Sequence, residues 1–183
     1  MKTNALIAVA CTVALAGCDY TVSLTDTPEL PIDKTLVGSW ERTTQQGERQ
    51  RLLVLPLGPN EYLVSFPAGA KDAMFARAAL CKTGGLTLIQ LAWFGTAQGA
   101  IPEDGRIFQY ASYALADGTL KGRLLNADVV DRDVSSAAAL SAAIEANRDN
   151  PKLFRDVWEF TRAEDPAKPG APPKRPPIPA AWR

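Results

Sequence analysis

The chain has 183 residues, with 20 Lys plus Arg against 20 Asp plus Glu, no His, 3 Cys and 14 Pro. A net charge of zero leaves no basic footprint for phosphate, so nucleic acid is not an expected partner. The lack of His removes the Ser-His-Asp and Cys-His nucleophiles and the commonest zinc ligand.

At the amino terminus, Lys2 precedes residues 5–16, an apolar run broken only by Thr12, and then come Gly17 and Cys18. This is the layout of a secretory signal. A membrane-crossing helix needs about 20 apolar residues, and Asp19 directly after the stretch argues for cleavage instead. Leu15-Ala16-Gly17-Cys18 resembles the lipobox of bacterial lipoproteins. That resemblance implies diacylglycerol on the Cys18 sulfur, cleavage before Cys18, removal of residues 1–17, and acylation of the new amino group with a fatty acid such as palmitate. More than one acyl chain anchors a protein stably to a membrane without a spanning helix. Asp19 resembles the signal that retains enterobacterial lipoproteins in the inner membrane, so the expected location is the periplasmic face of that membrane, with the outer membrane as the alternative. Cys11 then leaves with the signal and Cys18 is consumed by lipid. Cys81, alone in an oxidising compartment and flanked by Ala79 and Leu80, reads as a buried hydrophobe.

Residues 18–34 carry scattered Thr, Ser and Asp with Pro28 and Pro31 and no sustained periodicity, which reads as a lipidated terminus followed by a tether. At about 3.3 Å per residue such a tether reaches at most about 50 Å. Residues 164–183 hold prolines at 166, 169, 172, 173, 176, 177 and 179, a composition that favours polyproline II and forbids helix or central strand. That tail is expected outside the fold. It is either a spacer or a stiff basic segment that an envelope protein captures, with Trp182 as an end anchor.

Residues 35–163 make one domain. Strands are predicted at 36–43, 50–57, 61–66, 73–81, 86–94, 107–114, 120–126 and 157–162, each rich in β-branched, aromatic or leucine residues. Gly58-Pro59-Asn60, Thr83-Gly84-Gly85 and Asp117-Gly118 supply turns between them, the last a hairpin signal. One helix is predicted after the seventh strand. Ser135 or Ser136 caps it, Ala137, Leu140 and Ile144 line one face, and 147–151 stops it; it is expected over a sheet edge or barrel end. Eight short strands with one late helix predict a mainly β fold, an antiparallel up-and-down barrel, because closure removes exposed edges. A β-sandwich is the alternative.

The first strand opens with Val37-Gly38-Ser39-Trp40-Glu41, which resembles the Gly-x-Trp motif of lipocalins and the wider calycin barrels. The resemblance implies that Trp40 plugs one barrel end and that a late basic residue crosses its face, with Arg162 in Val157-Trp158-Glu159-Phe160-Thr161-Arg162 as the candidate. The chain departs from ordinary lipocalins in having no disulfide and in carrying its helix before the last strand. It also resembles bacterial lipoproteins of unassigned function with a lipocalin-like barrel. Alternation puts Leu53, Leu55, Tyr62, Val64, Phe66, Leu88, Gln90, Phe94, Phe108, Tyr110, Leu120 and Leu124 on one face, taken as inward, although a one-residue slip exchanges the faces. Leu55, Tyr62, Phe66, Phe108 and Tyr110 are the candidate ligand-binding residues. An eight-stranded barrel either fills with side chains or holds one small ligand, and the sequence does not choose.

The chain has no phosphate-cradling glycine loop, no Gly-x-Ser-x-Gly elbow and no CxxC. Asn126, Asp128, Asp131 and Asp133 lack EF-hand spacing and read as a solvated loop. Glu103 and Asp104 beside Pro102 and Gly105 read as a turn. No catalytic residue, metal or cofactor is expected, and the protein is not read as an enzyme. Two readings remain: a membrane-anchored barrel that binds a small apolar molecule, and a filled barrel that acts as an envelope scaffold through its Pro-rich tail.

Overall fold

Eight strands pair with their sequence neighbours and the last returns to the first, so the sheet has no open edge. A computed structural model describes residues 19–99 and 105–163; the expected signal, Cys18 and the Pro-rich tail lie outside those residues. The strands are β1 Gly38–Thr43, β2 Arg49–Pro56, β3 Glu61–Phe66, β4 Met74–Thr83, β5 Leu86–Thr96, β6 Phe108–Ala116, β7 Thr119–Leu125 and β8 Phe154–Arg162, with helix α1, Ala137–Ala146, before the last. Every pairing is antiparallel. The fold is therefore mainly β, a closed up-and-down barrel with one short helix.

Turn chemistry sets the order. Asp117 and Gly118 both take positive φ, 50° and 73°, as do Gly84 and Gly85 at 54° and 74°, the geometry that a two-residue hairpin needs to match strand twist. Up-and-down connectivity then sorts the loops. One end carries the β2–β3, β4–β5 and β6–β7 hairpins, the start of β1 and the end of β8, and we call it the floor. The other end, the rim, carries the β1–β2, β3–β4, β5–β6 and β7–β8 connections.

The seam between β1 and β8 is short, with Trp40 opposite Arg162 and Glu41 opposite Thr161. Side chains reinforce it. Trp40 is fully buried and its indole Nε1 donates to the Leu36 carbonyl at 2.8 Å. The Arg162 guanidinium lies 4.1 Å from the Trp40 ring centroid and donates to the carbonyls of Val37 and Thr35, each at 2.6 Å. A cation over an indole contributes about 0.5–2 kcal/mol, and charge-assisted hydrogen bonds add to it. Gly38 has a φ of 137°, and a Cβ there would run into the Arg162 guanidinium; the glycine of the Gly-x-Trp is what lets the arginine reach across.

The barrel has a second core on its outer surface. Cys81, Leu88 and Tyr110 alternate with inward neighbours along β4, β5 and β6, and they are buried by Leu140 and Ile144 of α1 together with Tyr20, Leu125, Val130 and Leu153. Ser136 caps α1 by accepting from the Ala139 N–H at 3.1 Å. The helix sits against the outer wall and the β4–β5 hairpin, where Thr83 and Ser141 hydroxyls bond at 2.6 Å and Gly84 gives Glu145 room. It does not cap a barrel end, because its two buried residues, Leu140 and Ile144, match an apolar outer wall rather than the floor.

Residues 19–34, expected as a tether, are packed along the barrel. Tyr20 is 0% exposed, pairs with Phe108 through two backbone hydrogen bonds of 3.2 and 3.0 Å, and donates its hydroxyl to the Val130 carbonyl at 2.9 Å. Asp19 pairs with Arg155 at 3.1 Å. Gln90, on the outer face of β5, accepts from the Leu24 N–H at 2.7 Å and donates to the Thr25 carbonyl at 2.9 Å. The segment then turns under the floor, where Leu30 and Ile32 pack on the inner core and Ile32 N–H bonds to the Pro59 carbonyl. Such contacts need single residues at irregular spacing, so no periodic signal marks them.

Gly38→Ala is expected to lower stability by about 1–3 kcal/mol, since it combines strain at positive φ with displacement of Arg162. Denaturant unfolding of the variant beside Arg162→Ala and the double substitution checks it: the two effects should overlap rather than add.

Candidate ligand site

The barrel interior is not filled. A cavity of about 480 Å³ runs from the floor to the rim, lined almost wholly by apolar groups, within the range of about 300–1,000 Å³ usual for small-molecule pockets. Its walls include Leu52 and Val54 of β2, Tyr62, Val64 and Phe66 of β3, Ile89, Leu91 and Trp93 of β5, and Trp158 and Phe160 of β8. The room comes from small residues. Ala78, Ala111 and Gly122 face the cavity where larger side chains would have closed it, and a Cβ on Gly122 would meet nothing within 4 Å.

The floor is built from hydrogen bonds. The Tyr62 hydroxyl, from β3, accepts from the Asp33 N–H at 2.6 Å and donates to its carbonyl at 3.2 Å, which pins the chain just before Leu36 and Trp40. Burial pushes the Tyr62 phenol up to about 12 and raises that of Tyr113. On the wall, Trp93 Nε1 donates to Gln109 Oε1 at 3.4 Å.

Arg42 stands on the rim half of β1. Its guanidinium lies 5.3, 4.6 and 5.4 Å from the rings of Phe66, Trp158 and Phe160, and Nε and Nη2 both donate to Gln50 Oε1 at 2.9 and 2.6 Å. Desolvation lowers its pKa. Three aromatic rings that line the cavity thus hold a cation at its side.

The sequence-selected residues divide. Tyr62 and Phe66 line the cavity. Leu55 does not: it is 40% exposed, and its neighbours Leu52 and Val54 point inward instead. Phe108 and Tyr110 also face outward, Phe108 against Tyr20 and Tyr110 through a hydroxyl bond to the Val22 carbonyl. Leu53, Leu88, Gln90 and Phe94 share that correction, and Phe94 is 50% exposed. The physical cause is burial on both faces. Where the outer face of β5 and β6 is covered by residues 19–25 and α1, inward and outward positions are equally apolar, and period-two alternation loses its phase. Phe94 lies in the same outward phase as Leu88 and Gln90, opposite to Ile89, Leu91 and Trp93, which line the cavity. Trp40 and Arg162 form the floor closure already described. Cys18 lies outside the described residues.

Sequence reasoning missed Ala78, Ala111, Gly122 and Arg42. Gly122 carried a signal, since an isolated glycine within a strand often marks room for a ligand or close approach. Among the described residues no three His, Cys, Asp or Glu side chains gather in a metal-binding arrangement. Asn126 and Asp131 instead accept from the backbone N–H of Asp128 and Asp133, and Asp133 pairs with Arg106 at 2.9 Å. Cys81 is buried, and desolvation raises its thiol to about 11, so it stays a neutral hydrophobe. No protein-family model matches the chain, and no curated protein or solved structure does so.

All four tyrosines, Tyr20, Tyr62, Tyr110 and Tyr113, have phenols raised above their ordinary value by burial. A raised folded-state pKa means stability that is intact below the unfolded value near 10 and lost as pH climbs through the folded values. The folded protein should therefore show far less phenolate absorbance at pH 10 than the same protein in denaturant, and unfolding should become easier above that pH. Equal absorbance in the two states would contradict the burial of these rings.

Proposed function

We propose that this is a membrane-anchored lipoprotein whose barrel binds one small apolar molecule, with an acyl chain as the ligand class that fits best. The carrying observation is the cavity of about 480 Å³ with walls almost free of polar groups. Each methylene moved from water into such a site gains about 0.8 kcal/mol, so a ten-carbon chain gathers roughly 8 kcal/mol before the cost of immobilisation. A sugar or a nucleotide would bring more hydrogen-bonding groups than the few polar side chains of the lining, such as Gln109, Ser112 and Arg123, can pair.

The anchoring half of the reading is supported by sequence. Lys2, the apolar run and Leu15-Ala16-Gly17-Cys18 resemble a lipoprotein signal, with Cys18 as the acylated residue and the periplasmic face of the inner membrane as its place. No described helix is long and apolar enough to cross a membrane, and the barrel interior holds the apolar cavity.

Native mass spectrometry of the protein after exposure to an extract of bacterial membrane lipids tests the binding. The expected result is a stoichiometric adduct that Gly122→Phe abolishes, because a Cβ there meets no obstacle and the added ring occupies the cavity. Thermal unfolding of the variant should match or exceed the parent. An apo mass for the parent, or an adduct that survives Gly122→Phe in a folded protein, would overturn the reading.

A further inference from the structure

We propose that the rim of the barrel faces the lipid bilayer directly, so that ligand passes between membrane and cavity without crossing water. The inference rests on acylation of Cys18, and it deepens that reading by assigning an orientation.

Its first support is the absence of slack between anchor and barrel. Cys18 is covalently bonded to Asp19, and consecutive Cα atoms stand about 3.8 Å apart. Asp19 is held by Arg155 near the start of β8, and the buried Tyr20 is bridged to Phe108 at the start of β6. Both strands begin at the rim. A diacylglyceryl group on Cys18 is therefore attached within one residue of the end of the barrel at which Phe66, Pro67 and Met74 edge the cavity.

The rim itself supplies the second support. The β3–β4 connection opens with the uncharged Pro67-Ala68-Gly69-Ala70 before the exposed Lys71 and Asp72. Phe75 and Phe94 stack at 6.4 Å on the outer surface of the same end, and Phe94 and Val157, both in the rim halves of their strands, are 50% and 58% exposed. Aromatic and aliphatic groups of this kind are favourable at a membrane interface. Leu55, Leu57 and Leu115 are also exposed but lie at the floor end, a strand's length of about 25 Å from the rim, where an anchor at Asp19 does not bring them to the same bilayer.

The test uses the full-length acylated protein in vesicles of phosphatidylethanolamine and phosphatidylglycerol, with and without bromine on the acyl chains. Gln46→Cys places an exposed thiol on the rim, and Leu57→Cys places one on the floor; Cys81 is buried and stays unlabelled. With an environment-sensitive fluorophore on each, brominated lipid should quench the Gln46 label several-fold more than the Leu57 label. A flexible ten-residue linker between Cys18 and Asp19 should remove that difference while leaving the protein on the vesicles. Equal quenching in the parent protein, or stronger quenching on Leu57, overturns the orientation even though the lipid is present. An intact mass without lipid on Cys18 overturns the anchoring and the orientation together, and the mass separates the two failures.

Discussion

A barrel is closed only as well as its last seam, and here that seam is two residue pairs long. What keeps β8 on β1 is the Arg162 guanidinium, which covers the Trp40 ring and ties down the carbonyls of Thr35 and Val37. These contacts act on different parts of the chain at once. The indole fills the floor, the carbonyls belong to the segment leading into β1, and the arginine belongs to the end of β8. Because the floor is sealed by the Trp40 ring under Arg162 and by the segment that packs Leu30, Ile32 and Leu36 beneath it, closure does not depend on side chains that fill the interior above. An empty interior with a rigid floor is the condition for a ligand site.

Burial on both faces of part of the wall follows from the same economy. An eight-stranded barrel with a cavity gives up inner packing, and this chain recovers apolar burial outside, where α1 and residues 19–25 cover β4 to β6. The outer core is tied by specific polar contacts as well. Gln90, a buried polar side chain, has both ends of its amide used by the backbone of Leu24 and Thr25, which satisfies a group that would otherwise cost roughly 1–3 kcal/mol to bury. The N-terminal segment is thus both wall cladding and floor.

Much of the fold was legible in the chain. Asp117-Gly118 and Gly84-Gly85 announce hairpins because few other pairs tolerate positive φ twice, and the strand runs between them leave little alternative to a meander. What was not legible was the phase of β2, β5 and β6. Leu52-Leu53-Val54-Leu55 is apolar at every position, so nothing local says that Val54 turns in and Leu55 out. Tyr110 looked like a cavity residue for the same reason; only the packing of Tyr20 against it, ring centroids 5.5 Å apart, explains a large aromatic on the outer wall. The cavity itself was written in absences, at Ala78, Ala111 and Gly122, and missing volume is harder to read than bulk.

The packing of the first described residues also dictates an order in time. Tyr20 finds its hydroxyl partner 110 positions later, at Val130, and Asp19 finds Arg155 136 positions later. A chain made from its amino terminus onward therefore completes the Tyr20 contacts only after Val130, and the Asp19 contact only after Arg155 at the start of β8, has been synthesised. Until those partners exist, the segment that begins at Asp19 lacks the contacts that bury Tyr20, and it is the completed barrel that fixes it in place.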